Sequence, residues 1–132
     1  MRNVEKSFMP ELLVVSVGGI VRFPNDDPFF HSIYSSSDAD AFDIGFYGNG
    51  PGKEVSFERT GIVDVRCHIH AKMHATIVVV DGPYLRADGA FSFAGVVPGN
   101  TTVSAWNASE GLRTRRVRVV NANDTVTLAR GI

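Results

Sequence analysis

Apolar and polar positions alternate along much of the chain with the two-residue period of strands. In Glu54-Val55-Ser56-Phe57-Glu58 the apolar Val55 and Phe57 share one face and the charges take the other. Ile62-Val63-Asp64-Val65-Arg66 alternates in its second half, so Val63, Val65 and Cys67 have one parity. If the valines face a core, the thiol does too. Ala75-Thr76-Ile77-Val78-Val79-Val80 is almost unbroken and β-branched, the pattern of a strand inside a sheet. The same reading predicts strands near 4–8, 12–23, 29–35, 42–47, 53–59, 62–67 and 75–81. Ser35-Ser36-Ser37-Asp38-Ala39-Asp40 and Tyr47-Gly48-Asn49-Gly50-Pro51-Gly52 read as loops. Nothing reads as a long helix, so the fold class is all-β.

Between the last two of these strands lies Cys67-His68-Ile69-His70-Ala71-Lys72-Met73, which holds the chain's one cysteine. On an α-helix, Cys67 and Met73 would be separated by about 9 Å along the axis at about 1.5 Å per residue, too far to share an ion. On a strand, Cys67 and His70 would point to opposite faces. A loop doubling back between two strands brings the three side chains together. His31, in Asp27-Pro28-Phe29-Phe30-His31, can complete a set of one thiolate, two imidazoles and a thioether, which suits a one-electron copper centre. Taken singly, a buried cysteine, a loop methionine or a histidine beside phenylalanines is usually structural. Together in one loop they point to metal. His68 has the wrong strand parity and His74 opens the next strand, so both are expected to be solvent-facing or hydrogen-bonded.

With these residues the chain resembles the cupredoxins, small blue copper proteins of the plastocyanin and amicyanin type. Its short Cys-x-x-His-x-x-Met loop is most similar to the amicyanin version. The resemblance spans residues 1–81 and includes Phe8-Met9-Pro10, the Val17-Gly18-Gly19 turn, Phe23-Pro24-Asn25-Asp26-Asp27-Pro28 before His31, and Phe57 through Gly61. It implies a Greek-key β-sandwich with His31, Cys67, His70 and Met73 as ligands of one type 1 copper per chain. It also implies electron carriage rather than catalysis, and a redox partner such as a cytochrome or a copper or quinone oxidoreductase. Relatives of this kind work outside the cytoplasm, mostly in the periplasm. Ser32 departs from the asparagine that often follows the first ligand histidine and helps fasten the ligand loop; a serine hydroxyl can also bond across that gap.

Four side-chain ligands leave copper no obvious open position for substrate. There is also no Ser/His/Asp arrangement or phosphate-binding glycine loop, so an enzyme is not expected. A copper storage or delivery protein would use the same residue types in more exchangeable coordination, with His68, His74 and Met9 in support. A metal-free interaction module is the third alternative. Pro28, Phe29, Ala71 and Phe46 are candidates for a contact patch, and His70 is the candidate exit for electrons. The acids Asp26, Asp27, Asp38, Asp40 and Asp43 read as a solvated loop face, with a docking patch for a basic partner as the alternative.

Charge divides the 132 residues. Residues 1–81 hold 7 Lys/Arg against 11 Asp/Glu, net −4, and residues 82–132 hold 6 against 3, net +3. The boundary falls at Asp81-Gly82-Pro83. Beyond it, Asp88-Gly89-Ala90-Phe91-Ser92-Phe93 and Val96-Val97-Pro98-Gly99 through Trp106 resemble a carboxypeptidase-regulatory-like, transthyretin-like β module. Val117 and Val119 oppose Arg116 and Arg118, and Val126 with Leu128 would form a last strand. About 50 residues rarely hold a core alone, so this module is expected to pack on the first, or to be completed by a second copy of the chain or by further sequence. The Arg113, Arg115, Arg116, Arg118 group lacks interleaved aromatics, so no nucleic acid is expected. No apolar run approaches the ~18 residues of a membrane span. No export signal is visible, and a leading segment is expected to be missing because a family-like strand begins almost at residue 1.

Overall fold

A computed structural model of the chain describes residues 1–84, 92–107, 109–121 and 124. The chain divides into two compact units, Met1–Tyr84 and Leu85–Ile132.

The first unit has nine strands: β1 (Arg2–Val4), β2 (Ser7–Met9), β3 (Leu12–Ser16), β4 (Gly19–Asn25), β5 (His31–Ser35), β6 (Phe42–Tyr47), β7 (Gly50–Phe57), β8 (Gly61–Cys67) and β9 (His74–Val80). They form two sheets, ordered β2-β1-β4-β7 and β3-β9-β8-β5-β6. Phe8, Val21, Phe23 and Phe57 from the first sheet pack on Ile33, Val63, Val65, Cys67, Ala75, Ile77 and Val79 from the second. The parity expected for β8 holds, with Val63, Val65 and Cys67 all buried. Strand β9 lies between β3 and β8, which accounts for its continuous apolar run. Phe42 joins the layers, its ring 5.8 Å from Phe23 and 6.0 Å from Phe57. Asn3 makes a polar link, donating through Nδ2 to the Tyr47 hydroxyl at 2.6 Å.

Two expected strands are each a pair. The 12–23 segment breaks at Val17-Gly18: β3 pairs with β9 in one sheet and β4 with β7 in the other, so the chain changes layers there. The 4–8 segment breaks at Glu5-Lys6, a two-residue hairpin turn in which both residues have positive φ, 51° and 58°. Such turns favour Asn-Gly or Asp-Gly, so Glu-Lys carries no local signal for one. Strand β7 also starts at Gly50, inside the expected loop.

In the second unit, β10 (Gly99–Asn107) and β11 (Gly111–Val119) form an antiparallel hairpin. Val117 and Val119 share one face, with Arg116 and Arg118 on the other. Ser92 and Phe93 lie outside any strand. The expected strand positions at Asp88–Phe91, Val126 and Leu128 lie outside the described residues.

Candidate metal centre

Strand pairing brings the two distant parts of the site together. Ile33 on β5 faces Cys67 on β8, and His31 lies two residues from Ile33 on the same face. The start of β5 and the end of β8 therefore meet at one end of the sandwich. Beyond Cys67 the main chain is held by the His68 N–H, which donates to the Ser32 carbonyl at 2.9 Å. This tie across the gap uses the Ser32 backbone. The loop then turns back on itself, with the Met73 N–H donating to the His70 carbonyl at 2.9 Å, and His70 swings toward Cys67.

Three donor atoms converge. Cys67 Sγ lies 3.8 Å from His31 Nδ1 and 3.7 Å from His70 Nδ1, and the two Nδ1 atoms are 3.2 Å apart. Bonds of about 2.0 Å to nitrogen and about 2.3 Å to sulfur, spread by about 100–120° around one ion, would separate the nitrogens by about 3.1–3.5 Å and sulfur from nitrogen by about 3.3–3.7 Å. The observed spacings match that arrangement within about 0.1 Å. His31, Cys67 and His70 form a group able to hold a metal ion, and His31 and Cys67 are buried. Met73, the fourth expected ligand, follows the same loop and is 1 % exposed.

Asp27 corrects the sequence reading, which placed it on a solvated face. It is 5 % exposed, and its Oδ2 lies 2.9 Å from His31 Nε2. The carboxylate also accepts the N–H groups of Glu5 at 2.6 Å and Lys6 at 3.0 Å, so it braces the left-handed turn between β1 and β2. Burial alone would raise the Asp27 pKa, but the Lys6 amide, the His31 ring and the Glu5 amide together bring it below its ordinary value. An ionised carboxylate only accepts, so His31 carries its proton on Nε2 and presents a lone pair at Nδ1. Asn25 fixes the segment between them: its Oδ1 accepts the Asp27 N–H at 2.9 Å, and its Nδ2 donates to the Phe29 carbonyl at 2.8 Å.

The other acids have local partners. Asp26 pairs with Arg2, Asp43 with His68, and Asp40 accepts the Glu58 and Arg59 amides, while the Asp38 carbonyl takes the Arg59 guanidinium. His68 is exposed and stacks on Tyr34 at 3.9 Å; His74 pairs with Asp64 at 2.6 Å. Neither belongs to the cluster of His31, Cys67 and His70.

Phe29 places its ring 5.5 Å from the imidazoles of both His31 and His70. His31 is fully buried and His70 only partly so, which makes His70 the imidazole that reaches the surface. Its pKa lies below the ordinary histidine value, first because of burial and then through the neighbouring His31 ring and the Lys6 ammonium, so the neutral form is favoured. Pro28, Ala71 and Phe46 are exposed, and Phe29 is half-buried. No helix among the described residues is long and apolar enough to cross a membrane.

No protein-family profile and no curated protein matches the chain. Solved structures do. A copper-containing nitrite reductase from Thermus scotoductus SA-01 aligns with a TM-score of 0.58 and 26% identity, over 62% of this chain and 22% of the reductase. The reduced form of an amicyanin variant aligns with a TM-score of 0.56 and 20% identity, over 60% of this chain and 78% of amicyanin. A second amicyanin variant, in its Cu(I) form, aligns with the same values. The all-β sandwich is of the cupredoxin type. The chain spans about a fifth of the reductase it matches.

Proposed function

We propose that this chain is a one-electron carrier with a single type 1 copper held by His31, Cys67, His70 and Met73. The observation that carries the reading is the convergence of Cys67 Sγ and the Nδ1 atoms of His31 and His70 to separations of 3.2–3.8 Å at one end of a cupredoxin-type sandwich. A thiolate with imidazoles and a weak thioether is the donor set of blue copper sites, and copper bound there would supply a Cu(I)/Cu(II) couple. The protein's part is to keep those donors in place. Asp27 fixes the tautomer and orientation of His31, the Met73-to-His70 bond closes the ligand loop, and Phe29 covers the imidazoles. His70 reaches the surface and is the exit for the electron.

Further parts of the reading rest on likeness and composition. The carrier works outside the cytoplasm, exchanges electrons with a redox protein, and is not itself an enzyme. Residues 1–81 form the copper domain. Residues 82–132 form a carboxypeptidase-regulatory-like β module, which can also mediate self-association.

The test is a visible spectrum of the oxidised, copper-loaded chain recorded with metal analysis. The expected result is one copper per chain and an intense thiolate-to-copper band that Cys67→Ser abolishes. No stoichiometric copper, or a spectrum that Cys67→Ser leaves unaltered, overturns the reading.

A further inference from the structure

An open groove of about 430 Å³ lies beside His70, lined by Glu5, Lys6 and Ser7 of the β1–β2 turn and by Ala71 and Lys72 of the ligand loop. Its cations differ from the others of the first unit. Arg2, Arg22 and Arg66 are paired with Asp26, Glu54 and Asp64. The Arg59 guanidinium and the Lys53 ammonium donate to the carbonyls of Asp38 and Ile44. Lys6 instead sits 5.1 Å over the ring of Phe29, and neither Lys6 nor Lys72 has a carboxylate partner among the described residues. With Glu5 on the same rim the groove carries a net charge of +1, whereas residues 1–81 carry −4. The local positive spot thus coincides with the imidazole that reaches the surface.

We propose that this groove docks an acidic surface of a protein redox partner, with Lys6 and Lys72 receiving carboxylates on either side of the His70 edge. The proposal rests on the electron-carrier reading and adds the partner's chemistry. Charge complementarity argues for it: unpaired ammonium groups attract carboxylates at long range and orient an encounter without holding it tightly, as a carrier that must release its partner requires. A small anion is a poorer occupant. The groove is open, and no buried polar side chain is among its lining residues to replace the water such an ion would lose. Asp27 anchors the arrangement, because it holds the Glu5-Lys6 turn through the same carboxylate that orients His31.

The test is an amide NMR titration of the metal-free 132-residue chain with poly-L-glutamate at low ionic strength. The expected result is saturable shifts at Lys6, Ser7, Ala71 and Lys72, which weaken as salt is raised to about 0.15 M. Lys72→Glu, which disturbs no hydrogen bond of the turn, should weaken binding several-fold. The Lys6→Glu, Lys72→Glu double variant should lose it, and Lys53→Glu should keep it. In the copper-loaded chain, oxidation by hexacyanoferrate(III) should slow several-fold in the double variant with the colour retained. The proposal is overturned by poly-L-glutamate shifts confined to other surfaces, by binding that survives in the double variant, or by inorganic phosphate reproducing the same shifts at the same concentration. A colourless copper-treated wild type would instead count against the copper reading, and the metal-free titration separates the two failures.

Discussion

Asp27 grips His31 from behind: its Oδ2 lies 2.9 Å from the imidazole Nε2, and both side chains are buried. This leaves Nδ1 directed at Cys67 and His70. One carboxylate thus sets the orientation of a proposed ligand and braces a turn that neither Glu5 nor Lys6 would adopt readily.

Asp27→Asn should therefore loosen the proposed metal site more than the fold. Loss of a carboxylate behind a ligand histidine typically lowers metal affinity by about 10–100-fold. Competition for copper against a calibrated chelator measures this. Asp27→Ala should also cost stability, because each of the two N–H groups left without an acceptor in a partly buried site costs about 1–3 kcal/mol. Urea unfolding of the metal-free protein reads that loss.

Met73→Leu should separate the packing role of this side chain from its proposed ligand role. A volume-conserving exchange at a position 1 % exposed costs less than about 1.5 kcal/mol, so the fold should persist. With the thioether gone, the reduction potential should rise while the thiolate colour remains. Voltammetry showing an unchanged potential would remove Met73 from the ligand set.

Tyr47 gives a pH signature that can be read in the metal-free chain. Burial is the main cause that pushes its pKa from 10.0 up to about 12, and the Asn3 hydrogen bond opposes it only partly. The folded value is raised, so this contribution to stability is complete below pH 10 and is lost as pH rises through about 12. The stability of the wild type relative to Tyr47→Phe should fall over that window. Urea midpoints of both proteins between pH 9 and 12 test the sign.

Gly52→Ala should be strongly destabilising. Gly52 has φ +74°, and a Cβ there would lie 1.8 Å from the Phe23 carbonyl oxygen. The left-handed backbone alone costs a residue with a Cβ about 1–2 kcal/mol, and relief of the clash must push β4 and β7 apart at this point. Thermal unfolding should show a lowered midpoint, whereas Gly45→Ala, which meets nothing within 4 Å, should show the backbone cost only.

Much of the site was legible in the residues themselves. Cys67, His70 and Met73 lie within one heptapeptide, and the parity of Val63 and Val65 aimed the thiol inward. Asp27 was not legible. In sequence it is one acid among several in a turn-rich stretch, and its spacing of four residues from His31 is the only local hint. The break at Glu5-Lys6 was hidden for the same reason: what stabilises that turn is an acceptor 21 and 22 residues away.

Alternation and residue type, which depend on neighbours along the chain, determined most of the strands, the buried face of β8 and the chemistry available in the Cys67–Met73 loop. Only the packed sandwich decided that His31 meets Cys67, which imidazole nitrogen faces it, which acid is buried behind it and where unpaired lysines surround His70. Those outcomes arise from hydrogen bonds and contacts between distant segments, whose energies do not exist until the two sheets close on one another.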